Sequence, residues 1–136
     1  MLAYPDGLYQ YILATCAIHP QHIYFGYKYG KYHCAAMGVG LLGTSVCYWY
    51  YPLTSGWRRT IDMCVAHSTV AYHAYLAVTQ TSNPLLCGSL VLSGASMYPL
   101  SIWLVNKGFK QGWGVFCHCM LHVLVSIGAS VTYAHM

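Results

Sequence analysis

From Gln111 to His135 the chain carries no Asp, Glu, Lys or Arg. As a helix this run is roughly 37 Å long at about 1.5 Å per residue, and the hydrocarbon core of a bilayer is about 30 Å thick. Runs of this kind recur, and the composition agrees with them: 57% of residues are hydrophobic and 6% are charged, where a soluble domain has about 25% charged residues. Two acids, Asp6 and Asp62, and six bases cannot keep a water-soluble monomer dispersed. The expected object is all-α: one domain over residues 1–136, an integral membrane bundle of four transmembrane helices at about 33–51, 60–78, 85–105 and 112–134, with an N-terminal interfacial segment. The bases stand in short pairs at the ends of apolar runs, a pattern of topology signals rather than of nucleic-acid binding.

The N-terminal residues are the hardest to place. The sequence His19-Pro20-Gln21-His22 interrupts an uncharged stretch, and proline breaks a helix interior. The expectation is a short interfacial helix, exposed loop histidines at 19 and 22, and then Tyr24, Tyr27, Tyr29 and Tyr32 at headgroup depth, where amphipathic rings are favoured. The first residues lack a basic region before an apolar one, so no cleavable signal is expected. Seven scattered cysteines contain no CxxC and read as small apolar residues within the spans.

In the first span Gly38, Gly40 and Gly43 suit close helix packing. Tyr48-Trp49-Tyr50-Tyr51-Pro52 closes it as an aromatic belt with a proline stop. In the second, Asp62, Thr69 and His73 form one polar stripe, and His67 lies about 140° round the helix from Asp62. The acid can pair with Arg58 four residues earlier, or serve a site. In the third, Ser89, Ser93 and Ser96 beside Gly88 and Gly94 predict a small polar packing face, and Pro99 predicts a kink. Arg58, Arg59, Lys107 and Lys110 place loops 52–59 and 106–111 on the cytoplasmic-equivalent side.

Within the fourth span, His118 and His122 lie about 40° apart on one side of the helix, and Ser126 and Ser130 continue that row. Lipid offers a polar row nothing, so it must face a partner, a cavity or a ligand. Ser45, Asp62, His67, His118 and His122 fall in one half of the membrane thickness when depth is reckoned along the spans; His73 and His33 fall toward the other. Three chemistries can use this set. Zinc can be held by His118 and His122 with a third ligand such as His67, and Asp62 beside it as a proton acceptor. Haem or chlorophyll can be ligated by axial histidine. Without any cofactor, the histidines and serines can join helices, as in an accessory subunit of a larger membrane complex.

The segment His118-Cys119-Met120-Leu121-His122 followed by Val125-Ser126-Ile127-Gly128 resembles the last helix of the alkaline ceramidase-like (CREST) membrane hydrolases. Gly43-Thr44-Ser45 and Thr60-Ile61-Asp62-Met63 resemble that superfamily's serine-containing helix and the aspartate-led helix after it. The likeness covers less than a third of the chain. It implies zinc on His118 and His122, Ser45 assisting an oxyanion, Asp62 orienting a ligand or water, and a lipid substrate cleaved at an amide or ester bond. The superfamily places a histidine four residues after the serine, where this chain has Trp49, and it has about seven spans.

Overall fold

The computed structural model describes residues 7–136. The described chain is helical and contains no strand: α1 (Tyr9–Thr15), a 3-10 turn (Cys16–Ile18), α2 (His19–Lys28), α3 (Tyr32–Trp49), α4 (Trp57–Thr79), α5 (Pro84–Asn106) and α6 (Gln111–His135). The last four are helices over nearly the residues expected of the four spans, but only α5 and α6 among them meet the length and apolarity of a span. Their ends follow the local chemistry. Gly56 (φ 124°) and Gly108 (φ 83°) take backbone conformations that only glycine adopts readily. Asn83 caps α5 by accepting from the Leu86 N–H at 3.2 Å, and Pro84 takes the first turn of α5, where a missing N–H costs nothing. Pro99 lies inside α5, which continues past it to Asn106.

The N-terminal segment differs from expectation. It is no loop with exposed histidines; α1, the 3-10 turn and α2 form a nearly continuous helical run packed against α3 and α6. Pro20 sits in the first turn of α2 and starts that helix instead of ending the one before. His19 and His22 are 3% and 0% exposed. Tyr24, Tyr27 and Tyr32 do face outward. Glycines make the close approach to α3 possible: a Cβ on Gly26 would stand 2.9 Å from the Ala35 nitrogen, and one on Gly38 would stand 2.9 Å from Ile23 Cγ1 and 3.3 Å from His22 Cδ2. Gly40 and Gly43 have nothing within 4 Å of such an atom, so the small face of α3 is used only around Gly38.

Helices α5 and α6 form the tightest pair. A Cβ on Gly94 would lie 2.8 Å from the Val125 nitrogen, and one on Gly128 would lie 3.0 Å from the Val91 nitrogen. Ser89, Ser93 and Ser96 were expected on this packed face but are exposed. Their hydroxyls donate back to the carbonyls of Leu86, Leu90 and Ser93, so their own helix satisfies them. The buried face of α5 is taken by Cys87, Gly88, Val91, Gly94 and Ser101.

Several polar groups lie inside while many large apolar ones face outward. Asp62, Thr69, His73, Ser126, Ser130 and Thr132 are buried, whereas Leu85, Leu92, Trp103 and Phe116 are between 52% and 87% exposed. Two helices, α5 and α6, are long and apolar enough to cross a membrane.

Candidate metal centre and its cavity

The polar row of α6 faces the N-terminal helices. His118, His122, Ser126 and Ser130 are all buried, and the His118 and His122 ring centroids are 5.2 Å apart. Thr15 Oγ1 lies 3.1 Å from His122 Nδ1, Cys16 Sγ lies 3.9 Å from the same nitrogen, and Ser126 Oγ lies 3.3 Å from His19 Nδ1. The His19 and His122 rings are 5.1 Å apart. The Thr15 hydroxyl donates to the Ile12 carbonyl at 2.7 Å, which leaves its oxygen free to accept from a His122 Nδ1–H.

Cys16, His19 and His122 each place a ligand atom within 4.8 Å of the others, and all three are buried. Ligands about 2.0–2.3 Å from a tetrahedral ion stand roughly 3.3–3.6 Å apart, so closure by about 1 Å brings this group to bonding geometry. His19 Nε2 is buried without a hydrogen-bond partner, as is His118 Nδ1. An unpaired buried polar atom costs about 1–3 kcal/mol, and an ion is one partner that removes that cost. Thiolate and imidazole donors fit zinc, and the Ser126 and Thr15 hydroxyls sit where they can orient the two rings.

The other half of the site comes from α3 and α4. The Ser45 hydroxyl donates to Asp62 Oδ1 at 2.7 Å, and Asp62 is 5% exposed. Arg58 does not pair with Asp62; its guanidinium points toward the Cys47 and Tyr51 carbonyls at 3.4 and 3.5 Å. A cavity of about 410 Å³ is lined by His19, Ser45, Asp62, His67, His118 and His122 together with apolar side chains such as Leu41, Val70 and Leu121. Every candidate residue from the sequence therefore borders one hollow.

They are not equivalent there. His122 belongs to the converging donor group; His118 stands beside it, with its ring 4.9 Å from Trp49 and 6.0 Å from Tyr98. His67, the expected third ligand, is exposed at the cavity wall and donates from Nδ1 to the Met63 carbonyl at 2.6 Å. It lies outside the converging group. Its angle of about 140° from Asp62 on the same helix turns it away from the interior. The additional donors come instead from Cys16 and His19.

A second buried polar cluster lies apart from that hollow's lining. His73 Nδ1 donates to the Thr69 carbonyl at 2.7 Å, so its Nε2 accepts from the Tyr133 hydroxyl. The Tyr133 oxygen then accepts from His22 Nε2, and His22 Nδ1 is left as an unpaired acceptor. His33, by contrast, is exposed at the start of α3 with its ring against Tyr72.

No protein-family model, curated protein or solved structure matches the chain.

Proposed function

We propose that the protein is a zinc-dependent hydrolase acting on acylated lipids from within a bilayer crossed by α3, α4, α5 and α6. The observation that carries the reading is the shared cavity: His19, His118 and His122 line the same hollow as the Ser45–Asp62 hydrogen bond. Cys16, His19 and His122 would hold the ion. Bound there, zinc would polarise a carbonyl and lower the cost of ionising water.

The chain's own residues divide the remaining work. Asp62 accepts the Ser45 proton in the hydrogen bond between them, and as the only acid among the described residues it is the group able to take a proton from an attacking water. Ser45 holds that carboxylate in place by donating its one hydroxyl proton to it. Leu41, Val70, Leu121 and Val125 line the same hollow and exclude water around an acyl chain.

The distribution of surfaces supports the bilayer setting. Exposed Leu85, Leu92, Ile102 and Phe116 would meet lipid, and the buried hydroxyls and imidazoles would be shielded from it. With loops 50–56 and 107–110 at the end carrying Arg58, Arg59, Lys107 and Lys110, that end would face the cytoplasmic-equivalent side. Three donors converging within 4.8 Å favour a bare ion over a haem or chlorophyll, which takes axial ligands.

Metal analysis of detergent-purified protein tests the proposal. The expected result is near-stoichiometric zinc that is lost in His122→Ala. Metal-free wild-type protein that copurifies with other membrane subunits would refute it in favour of an accessory role, and a visible porphyrin band would refute it in favour of a pigment protein.

A further inference from the structure

A second cavity, of about 360 Å³, adjoins the first and has a different character. The two share Trp49, Met63, Tyr98 and His118 as common wall. The second cavity extends along α5 from Tyr98 to Asn106, about 12 Å at 1.5 Å per residue, and so reaches the end of the bundle where Arg58, Arg59, Lys107 and Lys110 stand. Thr54, Arg59, Ser101 and Asn106 contribute polar groups to it.

Among the described residues, Arg59 is the only ionisable Lys, Arg, Asp or Glu side chain lining either cavity besides Asp62. Arg58 is engaged with the Cys47 and Tyr51 carbonyls at the end of α3, whereas Arg59 has no hydrogen-bond or ion-pair partner among the described residues. The carboxylate of Asp62 is committed to Ser45 and lines only the first cavity. Around Arg59, α4 begins at Gly56 without a side-chain cap, so its first N–H groups add partial positive charge. A guanidinium is the side chain best suited to a planar or tetrahedral anion.

We propose that the Arg59 cavity receives the anionic head of a single-chain amphiphile whose acyl chain occupies the apolar cavity, with His118 at the junction. The proposal rests on the hydrolase reading only for the fate of that molecule; the binding itself needs no reaction. It narrows the substrate class from acylated lipids in general to those bearing a phosphate or carboxylate group. The head would enter from the basic end of the bundle.

The test is equilibrium binding of dodecyl phosphate, dodecyl glucoside and inorganic phosphate to the full chain in neutral detergent, with zinc content measured on the same samples. Dodecyl phosphate should bind more tightly than either other probe. Arg59→Gln should weaken dodecyl phosphate tenfold or more and leave dodecyl glucoside unchanged. Lys110→Gln, which removes a cation at the same end but outside the cavity lining, should leave both unchanged. Equal losses in the two variants, no loss in Arg59→Gln, or inorganic phosphate binding as tightly as dodecyl phosphate would each overturn the proposal. Protein that discriminates through Arg59 yet holds no zinc would retain this inference and sink the hydrolase reading. Zinc-loaded protein that does not discriminate would do the reverse.

Discussion

Replacing Tyr133 with Phe removes one hydroxyl from the centre of the fold, and the structure sets how much that should cost. The hydroxyl joins His73 Nε2 to His22 Nε2. Tyr133, His73 and His22 are 2%, 0% and 0% exposed, so neither imidazole can turn to water once the oxygen is gone. His73 cannot change its role cheaply, because its Nδ1 proton is already on the Thr69 carbonyl. His22 has no spare partner either, since its Nδ1 is already unpaired. Two buried groups thus lose their partners at about 1–3 kcal/mol each. Interhelical hydrogen bonds inside membranes average nearer ~0.6 kcal/mol, so about 2–4 kcal/mol is expected for the pair. At roughly 3–6 °C per kcal/mol for a chain of this size, the midpoint should fall by about 6 °C or more. The free thiols supply the assay: Cys34 and Cys87 are 0% exposed, so a thiol-reactive dye reports unfolding in detergent as the sample is heated. Tyr75→Phe, at a side chain 55% exposed, is the control and should change little. If Tyr133→Phe matches that control, the imidazole–phenol–imidazole bridge contributes nothing and the argument from burial fails.

Four further outcomes are expected. In competition with a chromophoric chelator, Cys16→Ser and His19→Ala should each weaken zinc by about 10²–10³-fold, a share of roughly 3–4 kcal/mol of the ~10–16 kcal/mol typical of structural zinc; His67→Ala should not, and the reverse ranking would move the third donor to α4. Ligation needs the Cys16 thiolate and neutral imidazoles, so protons compete with the ion and affinity should rise with pH; a flat profile argues against thiolate ligation. Asp62→Asn should abolish hydrolysis while leaving the melting midpoint near that of the wild type, because Ser45 can still donate to the amide oxygen and Arg58 does not depend on Asp62; a large stability loss with activity retained would give Asp62 a structural role. Gly38→Val should push α2 off α3, since even a Cβ meets Ile23 and His22, and zinc affinity should drop with it; Gly43→Ala, in open space, should leave the metal in place.

The fold was legible where chain punctuation and apolar length agree. Pro52, Gly56, Asn83-Pro84 and Gly108 mark ends that tertiary contacts have little power to move, and α3 to α6 begin and stop beside them. The N-terminal run departs from its sequence expectation because one residue, Pro20, carries two opposite meanings: it breaks a helix from the interior and favours one from the first turn. Local sequence does not say which applies. Packing does: Gly26 and Gly38 let α2 settle against α3, and that contact favours a helix starting at His19. The serines of α5 failed as a packing signal for a related reason. A helix hydroxyl can be satisfied by its own backbone, so its presence does not name the face that is buried.

The site shows the same division between axial and lateral information. Depth along a helix is arithmetic, and reckoning in steps of about 1.5 Å puts Ser45, Asp62, His67, His118 and His122 within one half of the helix length; all five border one cavity. Which ring meets which depends on what lies between the helices, and spacing within a single span cannot say that. Trp49 packs its indole on His118. The neighbouring imidazole in this chain comes from His19 on α2, 5.1 Å from His122. His19, expected in an exposed loop, becomes a candidate donor only because α2 starts at it and buries it against α6. The candidate centre therefore depends on the polar stretch at residues 15–22 packing against α6. That is physically consistent, because a segment carrying two imidazoles, a threonine and a thiol at residues 15–22 is poorly suited to face lipid and is best satisfied against the polar row of α6.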